Sequence, residues 1–201
     1  MKKTLIVASL AIGMMGVLTG CGNANQPQPA ATNVDQCVID GKTAPSWVCD
    51  GGAMMEGGIF AVGSAEKSPL GPSFQRTEAE SAARDALARQ MKIKVKNMFK
   101  QYQATTGVGD AQTADKATEN VSKQVSEATL TGSKPIKFWT SPKGTMYILV
   151  GMPNKVAENS VKKAIKTSFH NNKALWQKFL AKNADKELDA AVAKEFGGDA
   201  Q

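Results

Sequence analysis

The side chains able to do chemistry are few. The chain of 201 residues has one histidine, His170, and three cysteines, Cys21, Cys37 and Cys49. A Ser-His-Asp or Cys-His site would have to use His170, which sits in a polar His-Asn-Asn stretch between helical segments and reads as a surface residue. No His-Glu-x-x-His, no Cys-x-x-Cys and no carboxylate cluster at metal spacing occurs, so neither a metal site nor a cofactor is expected. Ser64 with Lys67, and Ser160 with Lys163, match the Ser-x-x-Lys spacing that sets a lysine near a nucleophilic serine at a helix start. The Ser-Asp-Asn and Lys-Thr-Gly partners of that chemistry are missing, and Ser64 falls at a strand end. Gly57-Gly58 through Gly63 lacks phosphate-cradling spacing. The expectation is a protein that is not an enzyme.

Cys21 carries a different chemistry. Lys2 and Lys3 precede an apolar run from Leu5 to Leu18, the order of a secretory signal peptide. The run is shorter than the roughly 20 apolar residues of a spanning helix. Leu18-Thr19-Gly20-Cys21 follows, and small residues ahead of a cysteine at this point look like a bacterial lipobox. In proteins of that kind the signal is cut before the cysteine, and its thiol carries a diacylglycerol. One acyl chain anchors marginally, whereas two or more hold stably. Loss of Lys2 and Lys3 lowers the formal charge from +7 to +5. Gly22, in place of Asp, is similar to the sorting pattern of enterobacterial lipoproteins kept at the outer membrane. The expected location is therefore the outer membrane, on its periplasmic face.

Gly22 to Asn33 reads GNANQPQPAATN, with no aliphatic side chain larger than Ala. Such a segment cannot bury enough apolar area to order itself and reads as a flexible linker. Its reach is on the order of 20 Å. Residues 1–20 thus read as signal and 21–36 as lipidated cysteine and linker. Cys37 and Cys49 flank VIDGKTAPSWV, and export takes them out of the reducing cytosol, so they are expected to pair. Closing a loop of this length is worth about 3 kcal/mol in the chain-entropy model. A redox role would favour a close Cys-x-x-Cys at a helix start, which is absent. Trp47, after Pro45 and beside Cys49, is expected to pack over the bond.

Hydrophobic residues make up 42% and charged residues 21%, ordinary for a folded chain able to bury a core. The positive charge points to anionic surroundings without defining a partner. The lysines are not interleaved with aromatics in an RNA-binding pattern, and export argues against DNA, so no nucleic acid is expected.

Ile59–Ala65 is β-prone and reads as a first strand, with Gly63 marking a close backbone approach. Glu66–Phe74 reads as a loop. A long helix is expected from Gln75 to Thr106, with Glu78 and Glu80 in its first turns and Gly107 past its end. Ala79, Ala83, Ala86-Leu87, Met91, Val95, Met98 and Tyr102 form one apolar stripe, small residues first and large ones later. On another side Lys92, Lys96 and Lys100 form an i, i+4, i+8 stripe. This is either a candidate anion-binding face or a solvated helix face.

Ala111–Glu127 reads as a second helix or a long loop, and the chain is β-prone from there to Thr140. Ser141-Pro142-Lys143-Gly144 has type I turn chemistry, and Thr145–Val150 completes a β-hairpin. Pro153 reads as the first residue of a helix carrying Val156, Val161, Ala164-Ile165 and Phe169. Helical pieces with Leu175-Trp176, Phe179-Leu180 and then Leu188, Val192, Phe196 follow, ended by Gly197-Gly198. The fold expected is α+β: a long helix packed on a small antiparallel sheet in β-α-β-β-α order. A globular domain over 37–169 would carry a C-terminal helical extension over 170–201.

Pro45-Ser46-Trp47-Val48, then Phe60-Ala61-Val62-Gly63-Ser64-Ala65, then Ala79-Glu80-Ser81-Ala82-Ala83-Arg84-Asp85-Ala86-Leu87-Ala88 stand in order. They resemble the Pro-x-Trp, Val-Gly-Ser-Ala and Ala-x-x-x-Ala-Arg-x-x-Leu-Ala pattern of the Helicobacter-type twenty-kilodalton membrane-associated lipoprotein family. The Phe138-Trp139 and Tyr147–Val150 hairpin is similar as well, so the resemblance spans about Pro45 to Val156. It implies an outer-membrane lipoprotein with a long helix against a small antiparallel sheet. Members include surface antigens and flagellum-associated lipoproteins that assemble around the motor. The family brings no catalytic residues.

The function expected is that of a lipid-anchored structural or assembly component of the envelope, forming a homo-oligomer or binding envelope proteins. The apolar faces of the tail supply surface for such contacts. The alternative is a periplasmic binding module for an anionic envelope ligand, such as peptidoglycan or lipid phosphates, using the lysine stripe. No arrangement of residues supports an envelope hydrolase. Replacing Cys21 by Ser is expected to move the protein from the membrane to the soluble fraction of lysed cells. Retention at the membrane would point to a different anchor.

Overall fold

The computed structural model describes residues 37–106, 111–173, 177 and 184–197. The signal, the lipobox at Cys21, the linker, Gly107, and the helical piece with Leu175-Trp176 and Phe179-Leu180 lie outside these residues. The described elements are strands β1 (Val38–Ile39) and β2 (Lys42–Thr43), helix α1 (Ser46–Cys49), strand β3 (Gly58–Ala65) and helix α2 (Pro72–Thr106). Helix α3 (Ala111–Gly132), strands β4 (Lys134–Thr140) and β5 (Met146–Pro153), and helices α4 (Asn154–His170) and α5 (Ala184–Phe196) follow. The α+β layout is as expected.

β3, β5 and β4 form an antiparallel sheet in that spatial order, so the last strand of the three lies in the middle. Ile59, Ala61 and Gly63 pair with Met152, Val150 and Ile148 and turn one face towards the helices. The reason α2 can lie on this face is Gly63. A Cβ there would fall 2.2 Å from the Ala83 nitrogen and 2.3 Å from the Ala79 oxygen. Only a strand position without a side chain, opposite two alanines, allows main chain to touch main chain. Beyond this contact α2 buries larger side chains, and Leu87, Met91, Val95, Met98 and Tyr102 are all but fully buried. Each large side chain so buried contributes roughly 1.5–3 kcal/mol.

α3 adds Val121 and Val125, α4 adds Val161, Ile165 and Phe169, and α5 adds Leu188, Val192 and Phe196 to one continuous core. Phe99, Tyr102 and Phe169 meet there with ring centroids 5.8–6.4 Å apart. α5 therefore shares the core of the segment before it, and two ion pairs of 2.8 Å, Lys162–Asp189 and Lys166–Asp185, join it to α4.

Several boundaries differ from the sequence reading. α2 begins at Pro72, inside the expected loop, because proline's fixed φ and missing N–H suit a first helical turn. Glu78 and Glu80 consequently lie beyond the first turn. Glu80 pairs with Arg76 at 3.4 Å and Arg84 at 3.3 Å and does not serve the helix end. Ala111–Glu127 is helical, and the helix runs on to Gly132 through residues read as β-prone. There Val121, Val125 and Thr129 line up on the buried side, and this tertiary contact outweighs strand propensity. Pro153 ends β5 and caps α4 with ψ of 143°, one residue before the helix.

Replacing Gly63 by Ala forces β3 and α2 apart at their contact. The expected loss is about 3 kcal/mol, the upper range for overpacking, read as a lower urea midpoint. An unchanged midpoint would mean that the contact is looser than described.

Candidate functional site

Three surfaces of the domain carry the residues of interest. The first covers the sheet face turned away from α2. Leu149 on that face is fully buried although it stands outside the main core. The chain after α1 covers it: a Cβ on Gly52 would lie 2.8 Å from Leu149 Cδ1 and 2.9 Å from Phe60 Cβ. This cap is closed by the expected Cys37–Cys49 disulfide, with Cα atoms 6.1 Å apart. Inside the loop, Asp40-Gly41 has φ of 54° and 79° and turns β1 back on β2. Asp-Gly flanked by short strands is a hairpin signal that the sequence reading passed over. Trp47 of α1 is buried.

Asp40 latches the cap to the β4–β5 turn. Its Oδ2 accepts hydrogen bonds from the Ser141 hydroxyl and, at 3.4 Å, from the Lys143 amide. Its Oδ1 lies 3.7 Å from Lys143 Nζ. The Ser141 hydrogen bond, helped by Lys143, holds the carboxyl below its usual range against the opposing push of desolvation. The turn itself has the expected Gly144 N–H to Ser141 oxygen bond at 2.8 Å. Gln75, buried near the start of α2, donates to the Ala65 oxygen at 3.0 Å and the Gly144 oxygen at 2.7 Å. Strand end, helix start and hairpin turn are thus tied through one amide group.

The second surface is the lysine stripe. Lys92, Lys96 and Lys100 are all exposed on α2, as are Arg89 and Ile93 beside them. Lys94 points elsewhere. Its Nζ donates to the Glu195 carbonyl at 2.8 Å, lies 3.8 Å from Glu195 Oε1 and sits 5.7 Å from the centre of the Phe196 ring. A cation at a helix C-terminus satisfies the last carbonyls and the dipole, so Lys94 fixes the end of α5. Lys166 plays a related part on α4: the Asp185 hydrogen bond raises its pKa.

The third surface is the free side of β4. Phe138 is 67% exposed and Ile136 48% exposed. The Arg76 guanidinium stacks 5.5 Å from the Phe138 ring centre. Lys134, Pro135 and Lys137, with the register shift between Pro135 and Lys137, are marks of an edge strand. They were the available signal that this strand, and not its partner, lies outside.

The residues weighed for catalysis do not form a unit. Ser64 is exposed near the end of β3. Ser160 on α4 donates its hydroxyl to the Val156 carbonyl at 2.8 Å. His170 ends the same helix, about 15 Å further along its axis. An open groove of about 770 Å³ runs past Phe60, Gln90, Asn154 and Phe196. Lys94 and Glu195 on its wall are already paired with each other.

Helices on one face of a three-stranded antiparallel sheet, with a disulfide-closed cap on the other, define an α+β domain. The model of the LPP20 lipoprotein family matches residues 45–152, more than half of the chain. The chain belongs to that family. The matched stretch begins at the residue capping α1 and runs through β3, α2, α3 and β4 almost to the end of β5. No curated protein and no solved structure matches the chain. The protein is accordingly a lipoprotein of the cell envelope, and among the described residues no helix is long and apolar enough to cross a membrane.

The latch gives a pH signature. A carboxyl held below its reference value of 3.8 contributes fully above that value, and the contribution is lost as pH falls through the lowered one. Asp40→Asn is therefore expected to lower the melting temperature at neutral pH. The gap to wild type should close as the pH is taken below the carboxylate range. A gap that persists in acid would show that the charge is not what the latch uses.

Proposed function

We propose that this lipoprotein is not an enzyme. It is anchored through Cys21 at the outer membrane, on the periplasmic face, and acts as a structural or assembly component of the envelope. Its contacts are with copies of itself or with other envelope proteins, and flagellar association is the finer form of the same reading. The observation that carries it is the exposure of Phe138 and Ile136 on the edge strand β4. Phe138 stands beside Arg76 on the helix side of the sheet and Ile136 against Phe60 on the other, and no further strand covers β4 among the described residues. Exposed large apolar groups mark interaction surfaces. Lys134, Pro135 and the bulge oppose open-ended strand addition, so the contact is made by side chains.

A second reading, a binding module for anionic envelope ligands such as peptidoglycan or lipid phosphates, is supported by the exposed stripe of Lys92, Lys96 and Lys100. The test of the first is the mass of the native protein, extracted in detergent with its lipid, by light scattering. A defined oligomer that Phe138→Ser reduces in mass is expected. A monomer would overturn self-assembly and move the weight to the binding module.

A further inference from the structure

From Arg89 to the end of α2 the helix carries five cations, Arg89, Lys92, Lys94, Lys96 and Lys100, and no carboxylate. Lys94 is engaged with α5. The other four project from one side, since positions three and four apart are neighbours on a helix. Elsewhere in the fold Lys143, Lys155, Lys162 and Lys166 have carboxylate partners, while several other surface lysines, Lys42 and Lys137 among them, have none among the described residues. What sets the stripe apart is four cations on one helix side with no carboxylate from Arg89 onward. Lys92, Lys96 and Lys100 make no ion pair among the described residues. Among these cations stands Ile93, 60% exposed. The face from Arg89 to Lys100 is about 16 Å long.

We infer that this face of α2 lies on the anionic lipid headgroups of the membrane that holds the anchor. The inference rests on the anchored reading of Cys21 and deepens that of an anionic ligand. Charge complementarity is the first argument: a row of unpaired cations gains from each anionic headgroup it approaches. Ile93 is the second. An apolar side chain within a basic face fits the boundary between headgroups and acyl chains, whereas peptidoglycan offers no apolar phase to receive it. Cys37 follows Cys21 by only sixteen positions, so an anchor at Cys21 holds the domain within about 55 Å of the surface even with that stretch fully extended.

The test uses the full lipidated protein with Asn97→Cys, an exposed position beside Ile93. Cys37 and Cys49 are bonded to each other and Cys21 is acylated, so a fluorophore goes to the new thiol alone. The protein is reconstituted into vesicles of phosphatidylcholine, with or without phosphatidylglycerol, containing quencher-bearing lipid. Quenching is expected with phosphatidylglycerol and should fall towards the phosphatidylcholine level at about 1 M salt, where the screening length drops to ~3 Å. Neutralising Lys92, Lys96 and Lys100 together to Gln should lower the docked-to-free ratio by on the order of a hundredfold, about fivefold for each lysine. An unchanged melting temperature of that variant shows that the loss is not unfolding.

Equal quenching on both vesicles, or no response to the lysine substitutions, overturns the inference while flotation with the vesicles leaves the anchor standing. Lysine-dependent binding to purified peptidoglycan with no lipid-dependent quenching overturns it in favour of the cell wall. A chain that floats with neither vesicle overturns the anchor and this inference with it.

Discussion

The contact between Gly63 and the Ala79–Ala83 turn of α2 sets the geometry of the domain. It brings strand and helix main chains together where α2 carries alanines. Past the two alanines the buried side chains of α2 are larger, Leu87, Met91, Val95, Met98 and Tyr102, and the faces of α3, α4 and α5 pack against them. The gradient of side-chain size along α2 and the helical layers beyond it answer one close approach. The position of β5 answers it too. As the central strand it is buried on both faces, and its run Ile148–Met152 is apolar without alternation, as a strand covered on both sides requires.

Coverage of the second face explains the N-terminal elements. α1 is four residues long, and β1 and β2 are two residues each, too short to hold together alone. They are held by a covalent bond, by the burial of Trp47, and by the Asp40 latch to the hairpin turn. The family match begins at Pro45, so one cysteine of the bond, Cys49, lies inside the matched stretch and the other outside it. Of the cap, the β1–β2 hairpin and Cys37 precede the matched stretch, whereas α1, Trp47 and Gly52 lie within it.

The elements legible in the sequence are those whose pattern is long or whose turn chemistry is specific. The stripe of α2, the Ser141–Gly144 turn and the glycine at the strand–helix contact all belong here. The tail of α3 is not legible because strand propensity after Glu127 is local, while the burial of Val125 and Thr129 is decided by neighbouring helices. The start of α2 is not legible because Pro69, Gly71 and Pro72 together favour a loop, whereas Pro72 serves as a first-turn residue. The exposed side of β4 was hidden for another reason. Lys134, Pro135 and Lys137 mark β4 as an edge strand, but which of its apolar residues stay uncovered depends on the elements packed beside it. Among the candidate site residues, the stripe and the disulfide could be read from spacing and export. The partners of Lys94 and Asp40 could not, because each contact spans about a hundred residues of chain.

The disulfide also fixes how force enters this domain. A pull on the chain ahead of Cys37 passes through sulfur to Cys49, at the end of α1, and from there towards β3. The hairpin of β1 and β2 lies in parallel with that path and bears no load while the bond is intact. Reduction would place the same pull in series through the two-residue ladder, the weakest pairing in the structure. The state of this one bond therefore decides which part of the cap would bear a pull arriving from the N-terminal side.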